Sequence, residues 1–273
     1  MRWKILPDKK VYFSSDNLDE YLKELSKEFK KLNGKSMPAE IALVGGAAVL
    51  ANYGFRDKTY DVDAVIRASS SMKQAANNVA DKFNLGNNWL NSDFTHTSSY
   101  SPKLEQYSQY YRTYSNIVEF RTVSAEYLVA MKLMAGRKYK HDFSDIAEIM
   151  AEHQKKGNPL SQEQIETAIT NLYENKNKLP EHSVKFLNYI CSSNDLDKDA
   201  QVCKEIEKIN YQFLCQFNDK YENTLNDDNM NKILNSAKYN KMSKRYTEAI
   251  QSLGQFDADE LVSILTDDDT FNK

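Results

Sequence analysis

The chain has 273 residues, of which 41% are hydrophobic and 27% charged, and its formal net charge is −3. This composition is typical of soluble globular proteins and excludes a chain-wide electrostatic attraction to nucleic acid. No stretch approaches the roughly 18 apolar residues of a membrane-spanning helix, and the N-terminus lacks an apolar signal segment. The three cysteines share no metal-ligand spacing and indicate a reducing compartment. We therefore expect a cytoplasmic protein with no membrane partner.

The first half of the chain alternates between predicted helices and predicted strands. Apolar residues of segment 15–33 recur at steps of three and four, which predicts an amphipathic helix that Ser15 or Asp16 caps and Gly34 ends. A later segment, rich in tyrosine and threonine, lacks a helical period and indicates hairpin strands. The elements predicted after the first helix are a strand at 41–44, a helix at 47–53, a strand at 61–66, a helix at 72–83 and hairpin strands within 95–123.

From Ser124 onward the pattern is helical only. The predicted helices are 124–136, 142–155, 161–175, 181–192, 197–222, 227–237, 240–252 and 257–266. An α/β or α+β half followed by an all-α half is therefore expected. The breaker cluster at 156–159 divides the predicted domains, 1–158 and 159–273, and the acidic run 267–269 is expected to be a solvated end.

Two acidic residues stand on the predicted strand 61–66. Asp61 and Asp63 are separated by one residue, so their side chains point to the same face of the strand. Two carboxylates in one small volume repel each other, and a bound divalent cation relieves this repulsion. Magnesium fits, because it binds a few carboxylates together with water and phosphate oxygens.

A glycine pair, Gly45-Gly46, lies between the predicted strand 41–44 and the predicted helix 47–53. Backbone N–H groups at such a turn can approach a polyphosphate, and the helix N-terminus adds a partial positive charge. The combined order of strand, Gly-Gly, helix and strand with Asp-x-Asp resembles the DNA polymerase beta-like nucleotidyltransferase superfamily over residues 40–150. This resemblance implies an α+β fold with a mixed sheet and flanking helices, followed here by an all-α C-terminal domain.

Two further motifs narrow the resemblance. Segment 56–63 is similar to the R-x-x-T-x-D-x-D form of the superfamily signature, and segment 131–146 is similar to a basic helix followed by K-x-D-x-x-D-I. This pairing resembles AbiEii-type toxins of toxin–antitoxin and phage-defence systems and related uncharacterised bacterial nucleotidyltransferases; lincosamide-type antibiotic nucleotidyltransferases share a looser version. The chain departs from the pattern at Gly46, where many members carry serine, and at His141, between the lysine and the first aspartate of the second motif.

The resemblance implies a site composed of metal ligands and nucleotide ligands. Asp61 and Asp63 would bind Mg²⁺, and Glu119 on the last hairpin strand would be a third metal ligand or a general base. The residues implied to bind a nucleoside triphosphate are Gly45, Gly46, Thr59, Lys132 and Arg137.

Bland alternatives exist for several of these residues. Glu119 is equally an ordinary polar residue of a strand face, and Lys132 a solvated charge on a helix. Asp142 and Asp145, three residues apart, either hold a basic residue such as Arg137 or take part in the chemistry directly.

The implied reaction is magnesium-dependent transfer of a nucleoside monophosphate from a nucleoside triphosphate to an acceptor hydroxyl. A tRNA 3′ end, a protein hydroxyl and a small antibiotic are all open as acceptors, and a toxin would have a cognate antitoxin. The basic cluster of Lys132, Arg137, Lys138 and Lys140 serves either to attract RNA or to neutralise the triphosphate. The alternative functions are an antibiotic nucleotidyltransferase of the lincosamide or aminoglycoside type, and a non-catalytic antitoxin-like protein of the same fold.

Overall fold

A computed structural model describes residues 11–226, 229–236, 242–253 and 258–266. The predicted acidic end at 267–269 and parts of the last three predicted helices (227–228, 237, 240–241 and 257) lie outside these residues. The described strands form one five-stranded sheet in the order β3-β2-β1-β5-β4. The strands are β1 (Ala39–Leu43), β2 (Val62–Arg67), β3 (Leu90–Asn91), β4 (Ser108–Tyr114) and β5 (Val118–Val123).

The sheet is mixed, as predicted. The central strand β1 runs antiparallel to β2 and parallel to β5, while β3 is parallel to β2 and β4 forms an antiparallel hairpin with β5. Three helices belong to this part of the chain: α1 (Ser15–Asn33), α2 (Gly45–Asn52) and α3 (Ser71–Phe83). The predicted α+β class, with a mixed sheet and flanking helices, is confirmed.

The first helix, α1, packs through a stripe of apolar residues. Leu18, Leu22 and Leu25 of α1 are buried at helical spacing, and Gly34 follows the helix with a φ of 69°. The predicted cap at Ser15 or Asp16 is wrong. Ser14 is the N-cap residue, and its backbone N–H donates to the side chain of Asn17 at 2.9 Å.

The segment between α3 and the hairpin differs from the prediction. It contains the two-residue strand β3 and two short 3₁₀ helices, Asp93–His96 and Pro102–Tyr107, before β4 begins. A strand of two residues shows no alternation, and a 3₁₀ helix of four or six residues shows no α-helical period. Neither could therefore be recognised by periodicity.

The remaining described elements are helical, which confirms the all-α C-terminal part. They are α4 (Ala125–Ala135), α5 (Asp142–Lys155), α6 (Gln162–Tyr173), α7 (Glu181–Ser192), α8 (Leu196–Lys220), α9 (Met230–Ser236), α10 (Met242–Gln251) and α11 (Asp259–Thr266), with a further 3₁₀ turn at Lys176–Lys178. None of the helices in the described ranges is long and apolar enough to cross a bilayer.

The chain forms two compact units. The sheet unit contains the described residues up to Met131 together with Ala168–Glu174, and the helical unit contains Lys132–Thr167 and the described residues from Asn175 onward. The end of α6 joins the sheet unit because Ser101 donates a hydrogen bond to the Leu172 carbonyl at 2.8 Å. The units therefore divide the chain at other residues than 158, and the predicted domain boundary there stays a prediction.

Candidate active site

The glycine pair forms the first turn of α2. This helix begins at Gly45, two residues earlier than predicted, and Gly45 has a φ of 56°, in the left-handed region that glycine adopts without strain. Val44 precedes the helix in an extended conformation and has no polar side-chain atom. Because the first backbone N–H groups of a helix lack intrahelical acceptors, this turn can receive an anion.

The Asp pair lies beside this turn. Val44 donates its backbone N–H to the Asp63 carbonyl at 3.0 Å, and a Cβ added to Gly45 would lie 3.5 Å from Asp63 Oδ2. Asp61 is exposed and stands one residue before β2, which begins at Val62 rather than at the predicted residue 61. The structure thus brings Asp63 next to the start of α2, with Asp61 two residues away along the chain.

Thr59 packs against the second glycine. A Cβ added to Gly46 would lie 2.5 Å from Thr59 Oγ1 and 3.1 Å from Arg56 Nη2, so no side chain fits at position 46 without movement. Thr59 is buried and forms a two-residue bridge with Phe13, through backbone hydrogen bonds of 2.7 and 2.8 Å. Many members of the family carry serine at the position of Gly46. Its absence here does not leave the site without a hydroxyl, because Thr59 Oγ1 lies close to where a side chain of residue 46 would begin.

Arg56 belongs to the R-x-x-T-x-D-x-D motif and is a further candidate ligand, without a role in the sequence prediction. Its guanidinium lies near Gly46, and its Nε donates to the Lys58 carbonyl at 3.2 Å. The arginine in the R-x-x-T spacing was the available signal. Its position shows that this arginine turns back toward the start of α2, where a positive charge favours an anion.

Glu119 is not brought to the Asp pair. The register places Glu119 opposite Glu40 of β1, and Glu40 opposite Arg67 of β2. Asp63 precedes Arg67 by four residues, which is about 13 Å of strand. Glu119 instead accepts a hydrogen bond from Arg121 Nη1 at 2.6 Å. We therefore leave Glu119 out of the proposed metal ligands.

The carboxylates of Asp61 and Asp63 are the remaining candidate metal ligands. Within the described ranges, no group of three or more His, Cys, Asp or Glu side chains is arranged to hold a metal ion. Magnesium does not require such a group, because it commonly binds one or two carboxylates and completes its shell with water and substrate phosphates. The exposed Asp61 and the half-buried Asp63 fit this mode of binding.

The two basic residues predicted to bind nucleotide meet a common carboxylate in the helical unit. Asp142 accepts from Arg137 Nε at 2.7 Å and from Arg137 Nη2 at 3.0 Å. Lys132 Nζ lies 2.6 Å from Asp145 and 3.4 Å from Asp142. Asp142 and Asp145 therefore hold basic side chains, one of the two roles left open for them. The triphosphate contacts of Lys132 and Arg137 stay predictions.

The basic cluster of residues 132–140 is only partly at the surface, with Lys140 exposed and Arg137 half-buried. Lys132 is only 6% exposed and Lys138 only 1% exposed. Burial by itself would raise the pKa of Asp142, but the charges of Arg137 and Lys132 hold this pKa well below its ordinary value. Two of the four charges that were expected to attract RNA or triphosphate are thus inside the protein.

Glu207 of α8 is a buried residue for which no sequence motif indicated a role. Its Oε1 accepts the backbone N–H of Phe143 at 2.8 Å and its Oε2 accepts the Ser144 hydroxyl at 2.6 Å, so it caps the N-terminus of α5. Burial raises the pKa of Glu207 well above its ordinary value, although the hydrogen bonds from Ser144 and Phe143 lower it. A carboxyl that caps a helix 63 residues away in sequence leaves no local pattern.

The mixed sheet, its flanking helices and the C-terminal helices are consistent with a nucleotidyltransferase-like fold. The chain belongs to a family described as a nucleotidyltransferase of unknown function (DUF6036), whose model matches residues 20–193. The match includes both the Gly45–Asp63 segment and the Lys132–Asp145 segment. Comparison with curated proteins and with solved structures found no match. The match supports the expected nucleotidyltransferase family, and it does not confirm a closer relation to AbiEii-type toxins.

A side chain at position 46 is expected to destabilise the protein through Thr59. In Gly46→Ala the new Cβ would overlap Thr59 Oγ1, so we expect the free energy of unfolding to fall by about 1–3 kcal/mol. Adding Thr59→Ala removes the overlapping atom and should recover part of this loss. Urea unfolding of the two single variants and the double variant measures the coupling. Gly54→Ala is the control, because a Cβ there meets nothing within 4 Å; strictly additive effects at positions 46 and 59 would contradict the packing argument.

Glu207→Gln is expected to flatten the pH dependence of stability. The folded carboxyl holds its proton at pH values where the unfolded one has lost it, so its contribution to stability falls as the pH rises above the ordinary glutamate pKa of 4.5. Glutamine is uncharged like the protonated carboxyl, and its side-chain oxygen can still accept the backbone N–H of Phe143. Urea unfolding between about pH 5 and pH 8 should show a smaller decline for the variant than for the unmodified protein.

The matched control for this measurement is Glu205→Gln on the same helix, since Glu205 pairs with Lys208 and its side chain is 32% exposed. An unchanged pH dependence in Glu207→Gln would show that Glu207 is ionised in the folded protein.

Proposed function

We propose that the protein is an enzyme that transfers a nucleoside monophosphate from a nucleoside triphosphate to an acceptor hydroxyl. The observation that carries the proposal is the placement of Asp63 beside the glycine turn of α2, with Asp61 two residues away. This arrangement combines an anion-binding helix start with a pair of carboxylates. Family membership supports the same class of reaction.

Asp61 and Asp63 would hold the metal in this proposal. A magnesium ion bound there would neutralise phosphate charge. Asp61 is exposed and Asp63 half-buried, so both carboxylates are accessible to a hydrated cation and to a substrate. Two carboxylates on the same side of the chain would repel each other in the metal-free protein.

The chain itself supplies the phosphate contacts. Backbone N–H groups of Gly45 and Gly46 would donate to the polyphosphate, and the Arg56 guanidinium near Gly46 would add a positive charge. Thr59 would donate its hydroxyl from the same side. These groups would fix the triphosphate so that the acceptor oxygen can attack in line.

The proposed reaction exchanges one phosphorus–oxygen bond for another. The acceptor oxygen forms a bond to the α-phosphorus while the bond between this phosphorus and the bridging oxygen breaks. Pyrophosphate leaves, and the acceptor proton passes to a carboxylate of the Asp pair.

The acceptor and the biological setting rest on the sequence resemblance. We propose a tRNA 3′ end or a protein hydroxyl as acceptor, in a cytoplasmic toxin–antitoxin or defence system with a cognate antitoxin. Incubation with each labelled nucleoside triphosphate and magnesium, in the presence of total tRNA, cell lysate or antibiotics, tests this. Label in tRNA or protein supports the proposal, label in an antibiotic indicates an antibiotic nucleotidyltransferase, and no label with any acceptor favours a non-catalytic protein.

Asp61→Asn and Asp63→Asn are each expected to abolish magnesium-dependent transfer without unfolding the protein. Each change removes one anionic ligand, and it also removes the repulsion within the pair, so the metal-free melting temperature should stay equal or rise. Transfer of labelled nucleotide and thermal unfolding, each with and without magnesium, measure the two effects. Asp81→Asn, an exposed carboxylate on α3, is the control. Full transfer by either Asp61→Asn or Asp63→Asn would remove the metal-site assignment.

A further inference from the structure

Two exposed tyrosines flank the bridge that positions Thr59. Phe13 and Thr59 pair in an antiparallel bridge, so Tyr12 and Tyr60, one step beyond on either strand, are neighbours. Phe13 and Thr59 are buried, at 1% and 5% exposure, whereas Tyr12 and Tyr60 are 52% and 41% exposed. The bridge therefore has a buried pair and an adjacent exposed aromatic pair.

A lysine side chain lies beside the two exposed tyrosine rings. Lys58 Nζ lies 5.8 Å from the ring centroid of Tyr12 and 5.8 Å from that of Tyr60. Tyr12, Lys58 and Tyr60 are called the tyrosine platform below. The buried side of the bridge packs separately, with Phe13 stacked on Trp89 at a centroid distance of 5.9 Å.

The platform is joined to the Asp pair through the chain, since Tyr60 directly precedes Asp61. A ligand that stacks on Tyr60 is thus one residue from a proposed metal ligand. Exposed aromatic rings with a neighbouring cation are the chemistry by which proteins bind single-stranded nucleic acid, with bases on the rings and phosphates on the lysine.

We propose that the tyrosine platform binds the end of a single-stranded nucleic acid and directs its terminal hydroxyl to Asp61 and Asp63. The inference rests on the proposed function, because it identifies the platform's ligand as the acceptor of that reaction. Lys58 lies near both rings, and this order of ring, cation and ring suits a single-stranded nucleic acid, in which phosphodiesters alternate with bases. A donor nucleotide brings one base only, and its phosphates would contact the turn at Gly46 in the proposed reaction.

Electrostatics supports a local patch of this kind. The net charge of −3 gives the chain as a whole no attraction for nucleic acid, so a basic residue in the right place has to supply it. Lys132 and Lys138 are buried in the helical unit and do not present their charges to solvent. Lys58 is exposed.

The test measures binding of a fluorescein-labelled single-stranded RNA decamer with a free 3′ hydroxyl to the full chain, by fluorescence anisotropy in EDTA. Tyr60→Ala and Tyr12→Ala should each raise Kd about tenfold, the effect of losing one stacked base. Lys58→Gln should reduce the slope of log Kd against log salt by about 0.7, the value for one phosphate contact on a single strand. Tyr110→Ala, a 61% exposed tyrosine on β4, is the control and should leave Kd unchanged.

The outcomes separate this inference from the proposed function. Failure of the unmodified protein to bind the decamer, or equal Kd values in the platform variants and the control, overturns the platform. Loss of binding to a fluorescent nucleoside triphosphate in Tyr60→Ala, with decamer binding retained, also overturns it and assigns the rings to the donor base. If the tyrosines govern decamer binding while Asp61→Asn and Asp63→Asn keep full transfer activity, the platform stands and the proposed catalytic site fails.

Discussion

The contact between Thr59 and Gly46 is the constraint on which the candidate site depends. Since position 46 has no side chain, Thr59 and Arg56 can lie against the first turn of α2. The same threonine is fixed from behind by its bridge to Phe13. The chain then has only two residues before it reaches β2, so the position of the Asp pair follows from this packing. A bulkier residue at position 46 would push away both the threonine and the strand that follows it.

The helical unit contains a second constraint, a buried network of charges. Lys132, Arg137, Asp142 and Asp145 neutralise one another around the start of α5, and Glu207 caps the same helix from α8. Desolvation of several charges offsets most of their mutual attraction, so such a network adds little net stability while removal of one partner is costly. Its physical effect is to fix one arrangement of α5 and α8, because another arrangement would leave a charge buried without a partner.

The sequence predicted those features whose cause is local. The bounds of α5 and α7 agree with the predicted helices because their apolar stripes are continuous, and the Gly and Asp pairs were found because each is a short motif. Glu119 was selected from its place on a strand face, but its distance from Asp63 depends on strand register, which is a non-local property. Lys132 is buried against carboxylates that follow it across a turn, and Lys138 is buried against residues of later helices. Neither burial could be predicted from the sequence, because lysines are expected at the surface.

Segment 56–63 shows how a few residues can take on different tasks. Arg56 and Thr59 face the turn of α2, Lys58 and Tyr60 lie with Tyr12 at the exposed platform, and the Asp pair follows. In the proposed reaction, donor phosphates, acceptor and metal would then all be positioned by one short stretch anchored at Thr59. Such an arrangement makes the geometry of the reactants depend on the packing at position 46 rather than on any single ligand. Substitutions that loosen this packing should therefore impair the use of donor and acceptor together, whereas substitutions on the platform should affect the acceptor alone.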